Sequence, residues 1–475
     1  MLFKSSRIVL GIYLLIRYAC AFIHPIEVNG KQFVDSVTGE PFFIKGIDYQ
    51  PGGSSSVNDN QDPLSDPGKC ARDIILFQEL GINTIRIYSI NPDLDHNVCM
   101  TMLAAAGIYL ILDVNSPLEN QHLNRYEPWT TYNELYLRHV FKVIEQFSNY
   151  NNTLGFFAGN EVVNDSRSAK YSPPYLKALV SDMKKYIHEN APRAIPVGYS
   201  AVDDLHFRVS LSKYLECHDP SNPYNEVDFY GVNSYQWCGK QTFVSSGYDK
   251  LVNAYRDYSK PVFFSEYGCN EVLPRQFEEV QALYSSDMYT VFSGGLVYEF
   301  NQEANNYGLI DTDADGNAIL LPDFRTLQSV FKKVRFPSTL EVRQAILKDN
   351  VVAMAPAVKS KCESSYQNLD ISHPVAANLA TNMIKSSVKV RESKYVDLTL
   401  EQLKTPYKIF ESNGKEVLRN ARVDIVSNFD GEDLKNIRRL HKHRYRSEAS
   451  SYSKFSTLVL ITIGIIELAF QLSVI

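Results

Sequence analysis

Two glutamates stand at the ends of apolar runs. Glu161 follows Phe156-Phe157-Ala158-Gly159-Asn160, and Glu266 follows Val262-Phe263-Phe264-Ser265. Acetal cleavage needs such a pair. One carboxyl protonates the departing oxygen, and the other traps or shields the oxocarbenium-like centre. A gap of about 5–5.5 Å gives net retention through a covalent intermediate, and a wider gap gives inversion. Taken singly, each glutamate reads as an ordinary salt-bridge partner. As a pair on the fourth and seventh of eight strand-like runs, they point at one bond. The other runs also end in polar groups or phenols: Asp48 and Tyr49, Arg86 and Tyr88, Asp113 and Asn115, Ser200 with Asp203, Asn233 and Tyr235, and Tyr298 with Glu299.

The elements that must carry these residues form a repeat. Apolar, β-branched or aromatic runs occur at Phe42–Asp48, Asn83–Ser89, Ile108–Asn115, Leu154–Glu161, Ile195–Ala201, Val227–Tyr235, Val262–Gly268 and Gly295–Phe300. Continuous apolar strands suit a parallel sheet covered on both faces. Helical spacing follows at Lys69–Leu80, Val98–Ala106, Tyr132–Phe147 and Pro174–Asn190. Eight strands with interleaved helices predict an α/β fold, a (β/α)8 TIM barrel with a small irregular C-terminal extension. Catalytic groups then gather at the C-terminal face, where strands 4 and 7 look across the mouth. The alternative is a doubly wound open sheet. It normally has fewer strands, and the chain carries neither GxGxxG nor a P-loop. Beyond residue 335 the pattern decays. Short strands are expected at Val388–Val390, Tyr395–Leu398 and Tyr407–Phe410, with a turn at Ser412-Asn413-Gly414.

The chain has 475 residues, 44% hydrophobic and 21% charged, which excludes a wholly disordered or polytopic membrane protein. A net charge of −6 gives no invitation to nucleic acid. With 30 Tyr and 25 Phe, rings remain for a sugar cleft after the core is filled. Residues 1–21 read as a signal peptide: Lys4 and Arg7, an apolar run Ile8 to Ile16, then Ala19-Cys20-Ala21, with cleavage after Ala21. Residues 22–335 form the expected catalytic domain, 336–430 an extension, and 431–454 a basic, serine-rich linker. Residues 455–475 read as a hydrophobic GPI-attachment tail, with Ser447 as the attachment residue. The rival is a transmembrane helix, which Glu467 near mid-span disfavours. Seven cysteines leave six once Cys20 is removed, and six allow 15 pairings among which sequence alone does not choose. No CxxC or His/Cys cluster suggests zinc. Asn151 and Asn164 open N-glycosylation sequons.

More detailed motifs lie along the chain: Gly46-Ile47-Asp48-Tyr49-Gln50, Asp66-Pro67-Gly68-Lys69-Cys70, Asn83-Thr84-Ile85-Arg86-Ile87-Tyr88, Gly159-Asn160-Glu161-Val162, Phe264-Ser265-Glu266-Tyr267-Gly268-Cys269 and Leu296-Val297-Tyr298-Glu299-Phe300. In this order they resemble the fungal Gas/Phr/Gel β-1,3-glucanosyltransferases, glycoside hydrolase family 72, over about residues 24–335. The resemblance implies Glu161 as acid/base and Glu266 as nucleophile. It implies Asn160 on the sugar 2-hydroxyl, and Tyr88, Tyr235 and Tyr298 in the cleft, with Tyr235 orienting Glu266. Asn124, Arg125, Asp203 and Arg208 match positions that bind glucose units beyond the bond. His122-Leu123-Asn124-Arg125 departs from the family's usual Ser-x-Asn-Arg. The resemblance also implies the disulfides Cys70–Cys99, Cys217–Cys362 and Cys238–Cys269.

The cysteine-rich glucan-binding module of some family members is missing, because only Cys362 follows Cys269. Long-substrate affinity is then expected from the cleft itself. The implied activity is retaining transfer between β-1,3-glucan donor and acceptor, elongating wall glucan without cofactor or metal. Glu161 is expected to hold a proton beside anionic Glu266, because like charges disfavour double ionisation. The implied protein is monomeric, GPI-anchored to the outer face of the plasma membrane or carried into the cell wall. The alternatives are a hydrolytic endo-β-1,3-glucanase and a non-catalytic wall-binding surface protein.

Overall fold

The computed structural model describes residues 23–348 and 360–426. The signal-peptide residues 1–21, the linker, Ser447 and the hydrophobic tail lie outside these described residues. No described helix is long and apolar enough to cross a membrane.

Three short strands, β1 (Ile26–Asn29), β2 (Gln32–Asp35) and β3 (Pro41–Phe42), form an antiparallel sheet that the strand pattern above did not include. A sequence cue exists. Asn29-Gly30 is a hairpin dipeptide, and Gly30 adopts φ 59°, the left-handed region such a turn needs. Eight parallel strands follow and close on themselves: β4 (Ile44–Asp48), β5 (Thr84–Ile87), β6 (Tyr109–Asp113), β7 (Thr153–Asn160), β8 (Val197–Val202), β9 (Phe229–Ser234), β10 (Val262–Tyr267) and β11 (Phe292–Val297). The fold is a (β/α)8 barrel. β11 returns to β4 through pairs such as Gly294 with Ile44, so no open edge remains and the doubly wound alternative falls.

Two apolar cores hold the barrel. Inside it, Phe157, Phe229, Phe263, Ile44 and Leu296 are fully buried, and Phe33 from β2 plugs the N-terminal end against Phe229 at 5.7 Å and Phe263 at 5.9 Å. Outside it, the apolar stripes of the helices cover the strands. The helix Pro67–Leu80 starts where Asp66 accepts the Gly68 and Lys69 N–H groups. The expected helix from Tyr132 begins instead at Glu134, where the Asn133 side chain caps Leu135 and Tyr136, and a separate turn occupies Pro128–Thr131.

The eighth strand starts three residues earlier than its apolar pattern suggested. Its start does not read as a strand because the small residues Ser293, Gly294 and Gly295 follow Phe292. The reason is contact: a methyl group on Gly294 would be driven into the Ile44 carbonyl oxygen of the neighbouring strand.

The extension is built onto the barrel. β12 (Ile310–Thr312), β13 (Ala318–Leu320), β14 (Ile409–Glu411) and β15 (Glu416–Val417) make a four-stranded sheet, and the turn at Ser412–Gly414 joins the last two. The strands expected at Val388–Val390 and Tyr395–Leu398 are not formed. Their backbone groups are satisfied by barrel side chains instead: Val388 N–H donates to Tyr186 Oη at 3.0 Å, and Val396 N–H to Thr101 Oγ1 at 3.1 Å. Disulfides join Cys70 to Cys99, Cys217 to Cys362 and Cys238 to Cys269. The second crosses 145 residues and holds the extension to the loop before β9.

Candidate active site

Glu161 is the first residue past β7. Its backbone sits at φ 49°, a left-handed conformation that is costly for a side chain with a Cβ, and it is only partly exposed. The carboxyl is fixed by a polar ring drawn from four strands. Asn233 on β9 donates from Nδ2 to Glu161 Oε1 at 2.8 Å and to Asn160 Oδ1 at 3.1 Å. Ser200 on β8 donates to the same Asn160 oxygen at 2.7 Å, and Ser265 on β10 donates to Asn233 Oδ1 at 2.7 Å. These positions lie in the C-terminal halves of four neighbouring strands, so the parallel pairing of β7, β8, β9 and β10 gathers scattered sequence positions into one network.

Glu266, near the end of β10, is held on both oxygens. Tyr235 donates to Oε2 at 2.8 Å. Tyr88 donates to Oε1 at 2.9 Å, and Arg86 Nη1 approaches the same oxygen at 3.3 Å. Arg86 is buried and also donates from Nε to Asp113 at 2.8 Å. Its guanidinium stacks over the rings of Tyr88 and Phe157, 4.2 and 4.5 Å from their centres.

Both carboxyls open on one cleft of about 270 Å³, which Gln50, Ser54, Tyr88, Asn160, Tyr298, Glu299 and Glu303 also line. Tyr298 meets Tyr88, Tyr235 and Tyr307 edge-on, with ring centres 6.4, 6.3 and 5.2 Å apart, giving a wall of phenols. Cys238–Cys269 pins the loops after β9 and β10 beside it. A larger cavity of about 640 Å³ lies at the opposite, N-terminal end of the barrel, lined by Glu27, Arg193 and Ile195 among others. There Asp228 is spent on Lys184 at 2.7 Å, so size alone does not mark the chemistry.

Burial pushes the Glu266 carboxyl up, to about 7; the Arg86 charge and the two phenols pull it down, and the Glu161 charge pushes it further up. Glu299 is also pushed up to about 7 by burial, with Glu303 and Glu266 adding to the effect and Asn305 opposing it. Burial works against the charge on Arg86, but Asp113, Tyr88, Glu266 and Asp48 more than offset it, so the guanidinium stays cationic.

Of the expected site residues, Tyr88, Asn160, Glu161, Glu266 and Tyr298 line the cleft, and Tyr235 touches Glu266. Four others are not among its lining residues. Asp203 and Arg208 form an ion pair with each other, and Asp203 also accepts from Ser234 at 2.9 Å and Gln236 at 3.1 Å. Asn124 uses its side-chain oxygen to accept the Tyr126 and Glu127 N–H groups of its own loop, and the Arg125 carbonyl accepts Ser172. The sequon asparagines Asn151 and Asn164 are both partly exposed. Positions beside the cleft not singled out from sequence are Gln50, which receives the Tyr88 and Ser89 N–H groups, and Tyr307 in the loop after β11, which packs on Tyr298. For Tyr307 a cue was present in the Asn305-Asn306-Tyr307-Gly308 turn composition. Among the described residues the one cluster with metal-ligand geometry contains Cys238 and Cys269, which are already tied in a disulfide.

The glucanosyltransferase family model of glycoside hydrolase family 72 matches residues 16–335. The 1,3-beta-glucanosyltransferase GAS4 of Saccharomyces cerevisiae is 59% identical over 91% of this chain and 90% of its own length. The 1,3-beta-glucanosyltransferase gel2 of Aspergillus fumigatus is 46% identical over 83% of this chain and 81% of its own. Among solved structures, Saccharomyces cerevisiae Gas2p in complex with laminaripentaose superposes with a TM-score of 0.66 at 37% identity, covering 75% of this chain and 78% of that one. The closed barrel agrees with these likenesses, and the chain belongs to the glucanosyltransferase family, glycoside hydrolase family 72.

Proposed function

We propose that this chain is a retaining β-1,3-glucanosyltransferase. It cleaves an internal bond of one β-1,3-glucan and joins the fragment to the non-reducing end of another. The observation that carries this reading is the pair of carboxyls from β7 and β10 opening on one cleft, one of them held by three donors.

The donors divide the labour. Hydrogen bonds onto both oxygens of Glu266 stabilise its anion, whereas among the described residues the Glu161 carboxyl receives the Asn233 N–H alone. The cycle we propose needs charge on Glu266, which its three donors favour, and the proton on Glu161. Glu266 attacks the anomeric carbon while Glu161 gives its proton to the departing oxygen, and the reducing-end fragment leaves. Glu161, now a base, takes the proton from the 3-hydroxyl of an incoming glucan. That oxygen attacks the anomeric carbon, the ester to Glu266 breaks, and a new β-1,3 bond forms. Two inversions give net retention. Asn160, whose Oδ1 is occupied by Ser200 and Asn233, has its amide N–H groups left for the sugar 2-hydroxyl.

Transfer outruns hydrolysis when a sugar fills the acceptor side better than water. The phenols of Tyr88, Tyr235, Tyr298 and Tyr307 supply ring surface for that. We assign Asn124, Arg125, Asp203 and Arg208 to outer subsites, with the Asp203–Arg208 pair as a preformed polar shelf. The mature protein is proposed to be a secreted, GPI-anchored monomer at the outer face of the plasma membrane or in the wall. Incubation with a reduced laminari-oligosaccharide tests the reading: products longer than the substrate are expected, only shorter ones would identify a hydrolytic endo-β-1,3-glucanase, and none would leave a wall-binding protein. Glu266→Gln is expected to abolish the reaction.

A further inference from the structure

The disulfide Cys217–Cys362 differs from the other two in its surroundings. Cys70, Cys99 and Cys269 are buried, and Cys238 is partly exposed. Cys217 is fully buried, whereas Cys362 is an exposed residue of the extension. Beside the buried sulfur stands a lysine. Lys177, on the helix Pro173–Asn190, is itself buried. Its Nζ donates to the Tyr214 carbonyl at 2.6 Å, the Cys217 carbonyl at 3.0 Å and Cys217 Sγ at 3.2 Å. An ammonium carries three N–H donors, and here it meets three acceptors. The two carbonyls close the C-terminal end of the helix Arg208–Glu216, where a cation is favoured. The contact with the sulfur is not needed for that.

All three acceptors are neutral. A buried cation held by neutral groups is costly, and a negative charge arriving beside it is favoured. Burial pulls the Lys177 ammonium down to about 7, with Glu226, Asp219 and Glu216 opposing. Of the three atoms it touches, only Cys217 Sγ can take up a full negative charge, once its bond to Cys362 is cut. A lysine lowers the pKa of a neighbouring thiol, and a thiol of lower pKa leaves faster in exchange. Access has the same sense. An attacking thiolate approaches along the S–S axis, from beyond the sulfur it attacks. Cys362 is the residue that solvent reaches, and Cys217 has packed interior around it. Cys238–Cys269 is the internal contrast. The Glu271 carboxyl lies within 4.8 Å of both its sulfurs, a like charge that disfavours a thiolate there.

We propose that Cys217–Cys362 is a thiol-exchange site, at which a low-molecular-weight thiol attacks Cys362 and Cys217 leaves as a thiolate paired with Lys177. The incoming thiolate sulfur bonds to Cys362 Sγ. The Sγ–Sγ bond breaks, and its electron pair stays on Cys217 Sγ, 3.2 Å from Lys177 Nζ. In the return step the Cys217 thiolate attacks Cys362 Sγ, the bond re-forms and the small thiolate departs. The thiol is the sole co-reactant, and the full cycle has no net oxidation or reduction. The covalent tie between the extension and the end of the helix Arg208–Glu216 is thereby reversible, while Cys70–Cys99 stays closed in the core.

The test exposes the folded, full-length protein to excess glutathione at neutral pH. Samples are blocked over time with N-ethylmaleimide, digested and read by mass spectrometry. Glutathione is expected on Cys362, with the maleimide on Cys217, before either other disulfide opens. Lys177→Met should slow this step by about tenfold. A lysine that served only to close the helix end would act the other way, because its loss would loosen the site and speed exchange. Glutathione on Cys217, no adduct at all, or earlier opening of Cys70–Cys99 or Cys238–Cys269 overturns the proposal. So does an exchange rate that is unchanged or raised in Lys177→Met. If that variant does not fold, the position of the adduct and the order of opening in the wild type decide.

Discussion

Tyr235→Phe isolates the cost of one donor on the nucleophile. The substitution removes an oxygen and leaves the ring, so the edge contact with Tyr298 and the packing on Tyr307 persist. It deletes the 2.8 Å bond to Glu266 Oε2, the shortest of the three that the carboxyl receives. A hydrogen bond to a charged group contributes about 1.5–3 kcal/mol. One pH unit corresponds to about 1.36 kcal/mol. The phenol favours the ionised form and pulls the carboxyl down, so its loss lets the carboxyl rise by roughly one to two units. The starting point in the free enzyme is about 7. The ionised fraction therefore falls most at acid and neutral pH and recovers as pH rises. The assay is kcat/KM for laminari-oligosaccharide transfer across pH, wild type against variant. The acid limb should move upward by roughly one unit or more, and the deficit should shrink on the alkaline side. A uniform loss at every pH would mean that Tyr235 acts by sugar contact or packing alone. A downward shift would refute the donor argument outright.

Arg86→Met leaves Asp113 and Glu266 buried without their cation, and should cost about 3–5 kcal/mol in urea unfolding. Both carboxyls would then be raised in the folded state, so the deficit should grow as pH rises and diminish in acid, where they protonate. Replacing Cys217 and Cys362 together by serine opens a loop of 145 residues. The chain-entropy model puts the loss near 5 kcal/mol at 25 °C, read as a lowered midpoint under non-reducing conditions. Gly294→Ala places a methyl against the Ile44 carbonyl at the seam that closes the barrel, and should abolish soluble expression.

What the chain declares by itself is local. Apolar runs of strand length that end in polar residues, alternating with helical spacing, specify eight β/α units, because each periodicity depends only on near neighbours. Glu161 and Glu266 stood out for the same reason: each directly terminates an apolar run. The N-terminal hairpin went unread because its strands are four residues or fewer, although Asn29-Gly30 marked the turn. The start of β11 was hidden because Ser293, Gly294 and Gly295 are small, and Gly294 has no side chain because the Ile44 backbone passes there.

Tertiary structure decided everything that depends on neighbours remote in sequence. No spacing rule brings Asn233 from β9 to Glu161 on β7, or Arg86 from β5 to Glu266 on β10. Parallel pairing through β8 does the first, and closure of the barrel through β11 and β4 does the second, because strand ends far apart in the chain become neighbours around a ring. The carboxyl types were written in the chain. Their charges were set by what the fold buried beside them, because ionisation answers to local dielectric and to hydrogen-bond donors rather than to residue identity.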